Sequence, residues 1–358
     1  MPLEPGSSQT DKTDHRIADV NPLGQRIWDD VSRSPLHNLW NCRGTSFKVI
    51  LQRTFKSFME DNLLSRAAEL GYYFLFALFP MLLSASSIIG LAAKRAHVVY
   101  AALLNYLSIV IPHSAFQMVI DTFNQTAQAA TGAKIIFGIV AALWSASVGF
   151  GAIQDTANIV YKVKETRPYW KVKLQAIAVT LLLSIIISLT LGVLLFADYL
   201  IKRAHLHPAH PYLVLAGTML VHIVAWTGVL GLLMLLFAVI YYFAPDVQRK
   251  IWSWLTPGAA LGIFGWLAAS IGLRIYLHYF DSYTATYGSL GAVIILLTWF
   301  YITGLMLLLG AEVNSEIAAA VAEKKLKEQG ALPVQATTDP AHPIVDRTSA
   351  PKTESGVA

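Results

Sequence analysis

Charge is scarce in this chain. Only 14% of its 358 residues are Asp, Glu, Lys or Arg, while 55% are hydrophobic; an ordinary soluble domain is roughly 25% charged. A chain with so little polar surface is solvated largely by lipid. Cysteine is all but missing, with Cys42 the single example. That excludes an intrachain disulfide and a thiolate metal cluster, and leaves a solitary thiol. The stretch from Met1 to Asp30 lacks the short apolar core of a cleavable signal peptide, so the first membrane helix is expected to target the chain itself. The formal net charge of +5 does not point to nucleic acid, because the cations sit in loops and tails where membrane topology accounts for them.

What the sequence does contain is long apolar runs. Six are close to the length of helix that crosses roughly 30 Å of hydrocarbon: Gly71 to Ala93, Ile135 to Ile153, Leu174 to Ala197, Leu213 to Phe243, Trp252 to Ile275 and Ser289 to Leu309. The expected fold is all-α, a polytopic bundle of six transmembrane helices spanning residues 45–320. Residues 1–44 read as a disordered tail, and residues 321–358 as a charged and then disordered one, since neither has an apolar period that would repay ordering.

Cations orient the bundle. Lys48, Arg53 and Lys56 precede the first run, Lys162, Lys164, Arg167, Lys171 and Lys173 lie between the second and third, Arg249 and Lys250 follow the fourth, and Lys324, Lys325 and Lys327 follow the sixth. The opposite loops hold fewer, namely Lys94, Arg95, Lys134, Lys202, Arg203 and Arg274. This bias places both termini in the cytoplasm.

Two further segments read as amphipathic. Phe47, Leu51, Phe55 and Phe58 recur at helical spacing beside Lys48, Gln52 and Lys56, which fits an interfacial helix facing anionic headgroups or a soluble helix packed on the membrane domain. The outer loop from Lys94 to Lys134 carries the apolar stretches 98–111 and 116–123, split by Pro112. Both are too short to span, so one or two surface helices are expected.

The first run opens Arg66-Ala-Ala-Glu-Leu-Gly-Tyr-Tyr-Phe-Leu-Phe-Ala-Leu-Phe-Pro80. Arg66 and Glu69, three apart, share a helix face and can pair, and Pro80 should kink the helix. Gly138 and Gly149 in the second run, and Gly258, Gly262 and Gly272 in the fifth, fall at spacings that let helix backbones approach closely in lipid, so these faces read as packing seams. His205-Leu-His207-Pro-Ala-His210 has the look of a metal run. However, Ala209 stands where an acid ligand is needed, two prolines constrain the loop, and no metal is expected there. His222 stands alone in the fourth run, in reach of a neighbouring helix or of a proton path.

Polar residues gather at the expected cytoplasmic ends: Arg66 and Glu69 in the first helix, Asp155 and Asn158 in the second, Glu312 and Asn314 in the sixth. If the three helices adjoin, these six form one vestibule able to hold a charged head group.

The Arg66–Pro80 stretch, Trp144-Ser-Ala-Ser with Ala152-Ile-Gln-Asp-Thr-Ala-Asn158, Pro257-Gly-Ala, and Tyr287-Gly-Ser-Leu-Gly-Ala-Val-Ile-Ile-Leu-Leu-Thr-Trp299 running into Gly310-Ala-Glu-Val-Asn314 resemble the bacterial YihY/virulence factor BrkB family, once labelled ribonuclease BN. Gly288 belongs to this last stretch and is taken as a packing glycine. The resemblance implies a bacterial inner-membrane protein of about six helices. It is compatible with transport or envelope lipid handling, or with a scaffold, and the old nuclease label has no counterpart in these residues. The expected partners are membrane lipids, an amphiphilic substrate and another envelope protein or a further copy; no cofactor is expected.

Overall fold

A computed structural model describes residues 22–33, 47–91, 108, 116–117, 120–121, 132–206, 211–248, 252–279 and 289–331. These residues are helical apart from short turns. In chain order the helices are α1 (Pro22–Arg33), α2 (Phe47–Glu60), α3 (Leu63–Leu91), α4 (Gly132–Val160), α5 (Tyr169–Leu206), α6 (Pro211–Phe243), α7 (Pro257–Tyr279) and α8 (Ser289–Glu328).

Local chemistry sets the boundaries. Proline opens α1, α6 and α7, where its missing N–H costs nothing and its fixed φ suits the first turn. Thr256 precedes Pro257 and accepts the Ala259 N–H on its hydroxyl at 3.0 Å, an N-cap. α4 stops at Lys162, whose φ of 51° is left-handed. Val163 N–H donates to the Asn158 carbonyl and Lys162 N–H to that of Ile159, the paired bonds of a Schellman ending. Asn62, φ 52°, makes the sharp corner between α2 and α3, and Asn tolerates that conformation better than most residues.

Five helices are long and apolar enough to cross a membrane among the described residues, within 136–160, 169–203, 215–243, 257–279 and 290–328. The expected count of six is therefore one too high by that measure. The remaining run, Gly71 to Ala93, lies mostly in α3, a 29-residue helix that contains Pro80. α8, at 40 residues, is about 60 Å long, twice the hydrocarbon thickness, so it projects well beyond one face.

That projection corrects the reading of both tails. Ile27, Trp28 and Val31 of α1 are buried against Ala318, Ala319 and Ala322 of α8, so part of residues 1–44 is an ordered helix. The boundary drawn at 320/321 falls inside α8. Local composition could not show this, because the α1 stripe gains from burial only when the alanine face of α8 is present. The outer-loop helices expected over 98–111 and 116–123 lie outside the described residues, apart from isolated positions.

α3 packs against both α4 and α8, α7 against α8, and α5 against α6 and α4. The α7–α8 crossing depends on glycine. A Cβ on Gly258 would overlap the Gly310 carbonyl, and one on Gly262 would lie 3.2 Å from the Met306 carbonyl oxygen of α8 and 2.7 Å from Phe237 Cε1 of α6. At the α3–α8 crossing a Cβ on Gly71 would lie 3.1 Å from the Tyr301 N, and one on Gly304 3.1 Å from the Leu70 Cβ. Gly138 and Gly149 are buried, and a Cβ on Gly149 would meet Tyr73 at an ordinary 3.4 Å. Gly272 instead faces open space and is not in a seam. Gly288 lies outside the described residues.

Burial is concentrated at the end where α1 and α2 sit. In α4 the buried apolar positions run from Phe150 to Val160, in α6 four in a row are buried from Phe237 to Ile240 after the isolated Ala225 and Val229, and in α8 a long series runs from Leu307 to Ala322. At the other end Ile136, Phe137 and Val140 of α4, Leu220 and Ile223 of α6, and Ile271 and Tyr279 of α7 are exposed, as lipid-facing side chains are.

Candidate functional site

The α1/α2 end of the bundle also collects the polar groups. α2 is turned so that Arg53, Thr54 and Ser57 are buried while Leu51, Phe55 and Met59 face outward. The Arg53 guanidinium donates to Glu323 at 2.8 Å, and the Ser57 hydroxyl to Glu316 at 2.7 Å. Lys48 and Lys56 face outward together with Leu51 and Phe55, Phe58 turns into the core, and a polar stripe binds the helix to α8. At the corner after α2, Lys162 Nζ meets both Asp61 oxygens at 2.5 and 2.6 Å. Lys325 closes the same end on Asp30 of α1 at 2.9 Å.

The α4–α5 loop is held by a second network. Arg167 donates to Glu165 through Nε at 2.7 Å and through an Nη at 2.6 Å, and its Nε lies 3.4 Å from Asp246 beyond α6. Asp246 also accepts the Thr166 N–H and hydroxyl. Burial works to raise the Glu165 carboxyl, but hydrogen bonds from Arg167 and Asn158 outweigh it and hold the group below its ordinary value. The same bond to Glu165 raises the Arg167 guanidinium, against the opposing effect of burial.

The six residues expected to form a vestibule do lie on helices that adjoin, yet they separate into four settings. Arg66, Glu69 and Asp155 form the first. Asp155 on α4 senses the charges of Glu69 and Arg66 across from α3, with Glu165 and Arg167 beyond. Glu69 and Asp155 are exposed and Arg66 is half-buried, its Nε without a hydrogen-bond partner. Glu69 bonds the Tyr73 hydroxyl, and no ion pair joins it to Arg66 among the described contacts. One turn further along α3 there is a phenol in reach, which the three-residue spacing alone did not reveal. Asn158 belongs to the loop network, donating to Glu165 at 2.9 Å and accepting the Asp246 N–H at 2.7 Å.

Glu312 and Asn314 face elsewhere. Asn314 points to α7, accepting the Gly258 N–H at 2.9 Å and donating to the Thr256 hydroxyl at 2.9 Å, so it completes the cap of that helix. Glu312 is fully buried, and neither carboxyl oxygen has a hydrogen-bond partner. Gln154, also fully buried, has both amide atoms unpartnered. His222 bonds the backbone of its own helix, Nδ1 to the Thr218 carbonyl at 2.8 Å. His207 and His210 lie outside the described residues. Among the described residues no three His, Cys, Asp or Glu side chains are arranged to hold a metal ion.

Sequence reasoning missed the pairing of Asp61 with Lys162 and of Arg167 with Glu165 and Asp246. A signal existed for one part of this set: Arg53, Ser57 and Asp61 repeat every four residues opposite the apolar stripe of α2, the mark of a helix with a partner on its polar side.

The model of the virulence factor BrkB family matches residues 54–333. The chain belongs to that family. The BrkB match takes in every helix from α3 to α8 and leaves out α1. Among relatives, the chain is 32% identical over 251 residues to the putative ribonuclease-like protein YfkH of Bacillus subtilis (strain 168), covering 70% of this chain and 88% of that one. It is 26% identical over 284 residues to a UPF0761 membrane protein of Xanthomonas oryzae pv. oryzae (strain PXO99A), and 26% over 300 residues to one of Stenotrophomonas maltophilia (strain K279a). The match spans 62% and 64% of the length of these last two. No solved structure matches the chain. The BrkB-family assignment and the apolar helices together make this a multi-pass membrane protein.

Proposed function

We propose that this BrkB-family chain is a bacterial inner-membrane protein, with both termini cytoplasmic, that binds an amphiphile and moves it within the membrane. The observation that carries the reading is the group on α3 and α4: a half-buried guanidinium, Arg66, whose charge reaches Asp155, beside two exposed carboxylates, Glu69 and Asp155. Polar groups at the rim of an apolar surface can take a head group while acyl chains stay in lipid. The cation-rich loops at the same end support the cytoplasmic orientation.

A second reading, a scaffold without transport, draws on Asn158 and Asn314, whose side chains are spent on holding loops and a helix cap. A nuclease, the reading suggested by the name of the Bacillus relative, would need metal-binding side chains converging on a water-filled site. The carboxylates of Asp61, Glu165 and Glu323 are instead engaged by Lys162, Arg167 and Arg53.

Leaflet-to-leaflet movement of head-group-labelled phospholipid in proteoliposomes tests the proposal. Movement above protein-free vesicles, lost in Arg66→Ala and kept in Lys171→Ala, is the expected result. Movement no faster than in empty vesicles would leave the scaffold reading standing.

A further inference from the structure

We propose that Glu312 is a proton-binding site, a carboxyl that takes up and releases a proton at the junction of α2, α4 and α8. The inference does not depend on the amphiphile reading.

Geometry isolates this side chain. Glu312 has no exposed surface, and neither oxygen receives a hydrogen bond. Buried carboxylates are ordinarily paired or accept several donors. The charges that reach it are those of Asp61, Glu316, Lys162 and Glu60, three acids against one cation. That cation is already engaged, since Lys162 sits on both oxygens of Asp61.

The other elements around α8 offer nothing better. On α2, Arg53 is bonded to Glu323 and Lys56 lies 3.8 Å from Glu60. On α1, Asp30 holds Lys325. On α3, Arg66 and Glu69 belong to the group around Asp155. α7 brings no charged side chain before Arg274. At the end of α4 stands Tyr161, whose phenol is raised by burial and by the charge of Glu312 and so stays neutral.

A proton from water at the polar end meets this need with no other ligand. Bound to one oxygen of Glu312, it removes a negative charge from among three others and turns an acceptor without donors into a group that can itself donate. Lys162 and Glu60 are only partly covered, which brings water into the same group of charges. Release of the proton restores a carboxylate that repels Asp61 and Glu316. Those are the residues that fasten the α2 corner to α4, and α2 to α8. Proton occupancy at Glu312 therefore acts on how tightly α2 and the end of α4 close against α8.

Infrared difference spectroscopy of the protein in lipid nanodiscs tests this, titrating from about pH 5 to about pH 9, the range in which perturbed carboxyls change state. The wild type should show a carboxylic-acid carbonyl band that is lost as the pH rises. That band should be absent in Glu312→Gln, shifted in Glu312→Asp and unchanged in Glu316→Gln. A wild-type spectrum with no such band anywhere in the range overturns the proposal, whether or not the variants fold. So does a band that survives in Glu312→Gln. Thermal stability gives an independent readout. Glu312→Gln should gain on the wild type as the pH is raised; a variant that instead loses ground toward high pH would mark Glu312 as a carboxylate stabilised by its charge.

Discussion

Lys162→Met tests whether the corner between α2 and α4 depends on one ion pair. Lys162 contacts both oxygens of Asp61, with the two side chains only 16% and 5% exposed. Methionine keeps the side chain as far as Cε and the same backbone demand at φ 51°, so the change removes little besides the charged ammonium. Removing one partner of a buried pair costs about 3–5 kcal/mol, because the other charge stays buried without compensation. The slight exposure of Lys162 argues for the lower end, about 3 kcal/mol. For a chain of this size that corresponds to a melting temperature about 6 °C lower, at roughly 2 °C per kcal/mol, read as loss of helical circular dichroism in detergent. Asp61→Asn on the Lys162→Met background removes the second charge, and the double variant should be more stable than the sum of the single losses by at least about 1 kcal/mol. A single-variant cost below about 1 kcal/mol, the scale of an exposed pair, or strict additivity in the double, would refute the buried-pair reasoning.

Two further outcomes follow from the same geometry. Gly258→Ala drives a Cβ into the Gly310 carbonyl and to within 2.7 Å of the Asn314 side chain, so α7 must move off α8 at a cost of about 1–3 kcal/mol or more, whereas Gly272→Ala, which meets nothing within 4 Å, should hold or slightly raise the melting temperature, alanine being the better helix former. Glu165, held below its ordinary value by Arg167 and Asn158 against the effect of burial, contributes stability above its unfolded pKa that is lost as the pH falls through the lower folded one; the melting-temperature gap between wild type and Glu165→Gln should be open at neutral pH and close in acid, below about pH 4.3.

Much of the architecture was legible because lipid imposes a crude code. Apolar runs of spanning length and cations between them are one-dimensional signals, and they located the apolar middles of α4 to α8, though the runs stop short of the C-terminal ends of α4, α5 and α8 by 7, 9 and 19 residues. The glycines of α7 were legible for the same reason, since close backbone approach needs the absence of a side chain. Gly272 shares the spacing but has no neighbour, because periodicity identifies a face and not what the face meets. The polar site resisted more strongly. Asn158 and Asn314 sit at helix ends exactly as Asp155 and Glu312 do in sequence terms, yet two of the four tie backbone groups, one faces outward and one is fully buried. The difference lies in which way a position turns on its helix, and in what the opposite element supplies. Ionic partners such as Asp61 with Lys162 are 101 residues apart and left no local trace.

The distribution of strong contacts bears on how such a bundle can change shape. Glycine crossings at Gly258, Gly304 and Gly310, the ion pairs of Asp61, Arg53 and Arg167, and the long buried run of α8 all lie toward one end. Toward the other end, Ile295 and Leu296 form a smaller cluster with Leu75, Leu78, Leu277, Trp299 and Phe300, while α5 and much of α6 present side chains to lipid. Separating helices that share a glycine crossing forfeits close packing and bares backbone carbonyls, which is costly in hydrocarbon. Parting helices whose facing side chains are already lipid-exposed exchanges one apolar neighbour for another at little cost. Motion within the bundle should therefore pivot about the polar end and open at the far one. On the readings proposed above, residues at the pivot, Arg66, Asp155 and Glu312 among them, would then meet a head group or a proton without themselves travelling far.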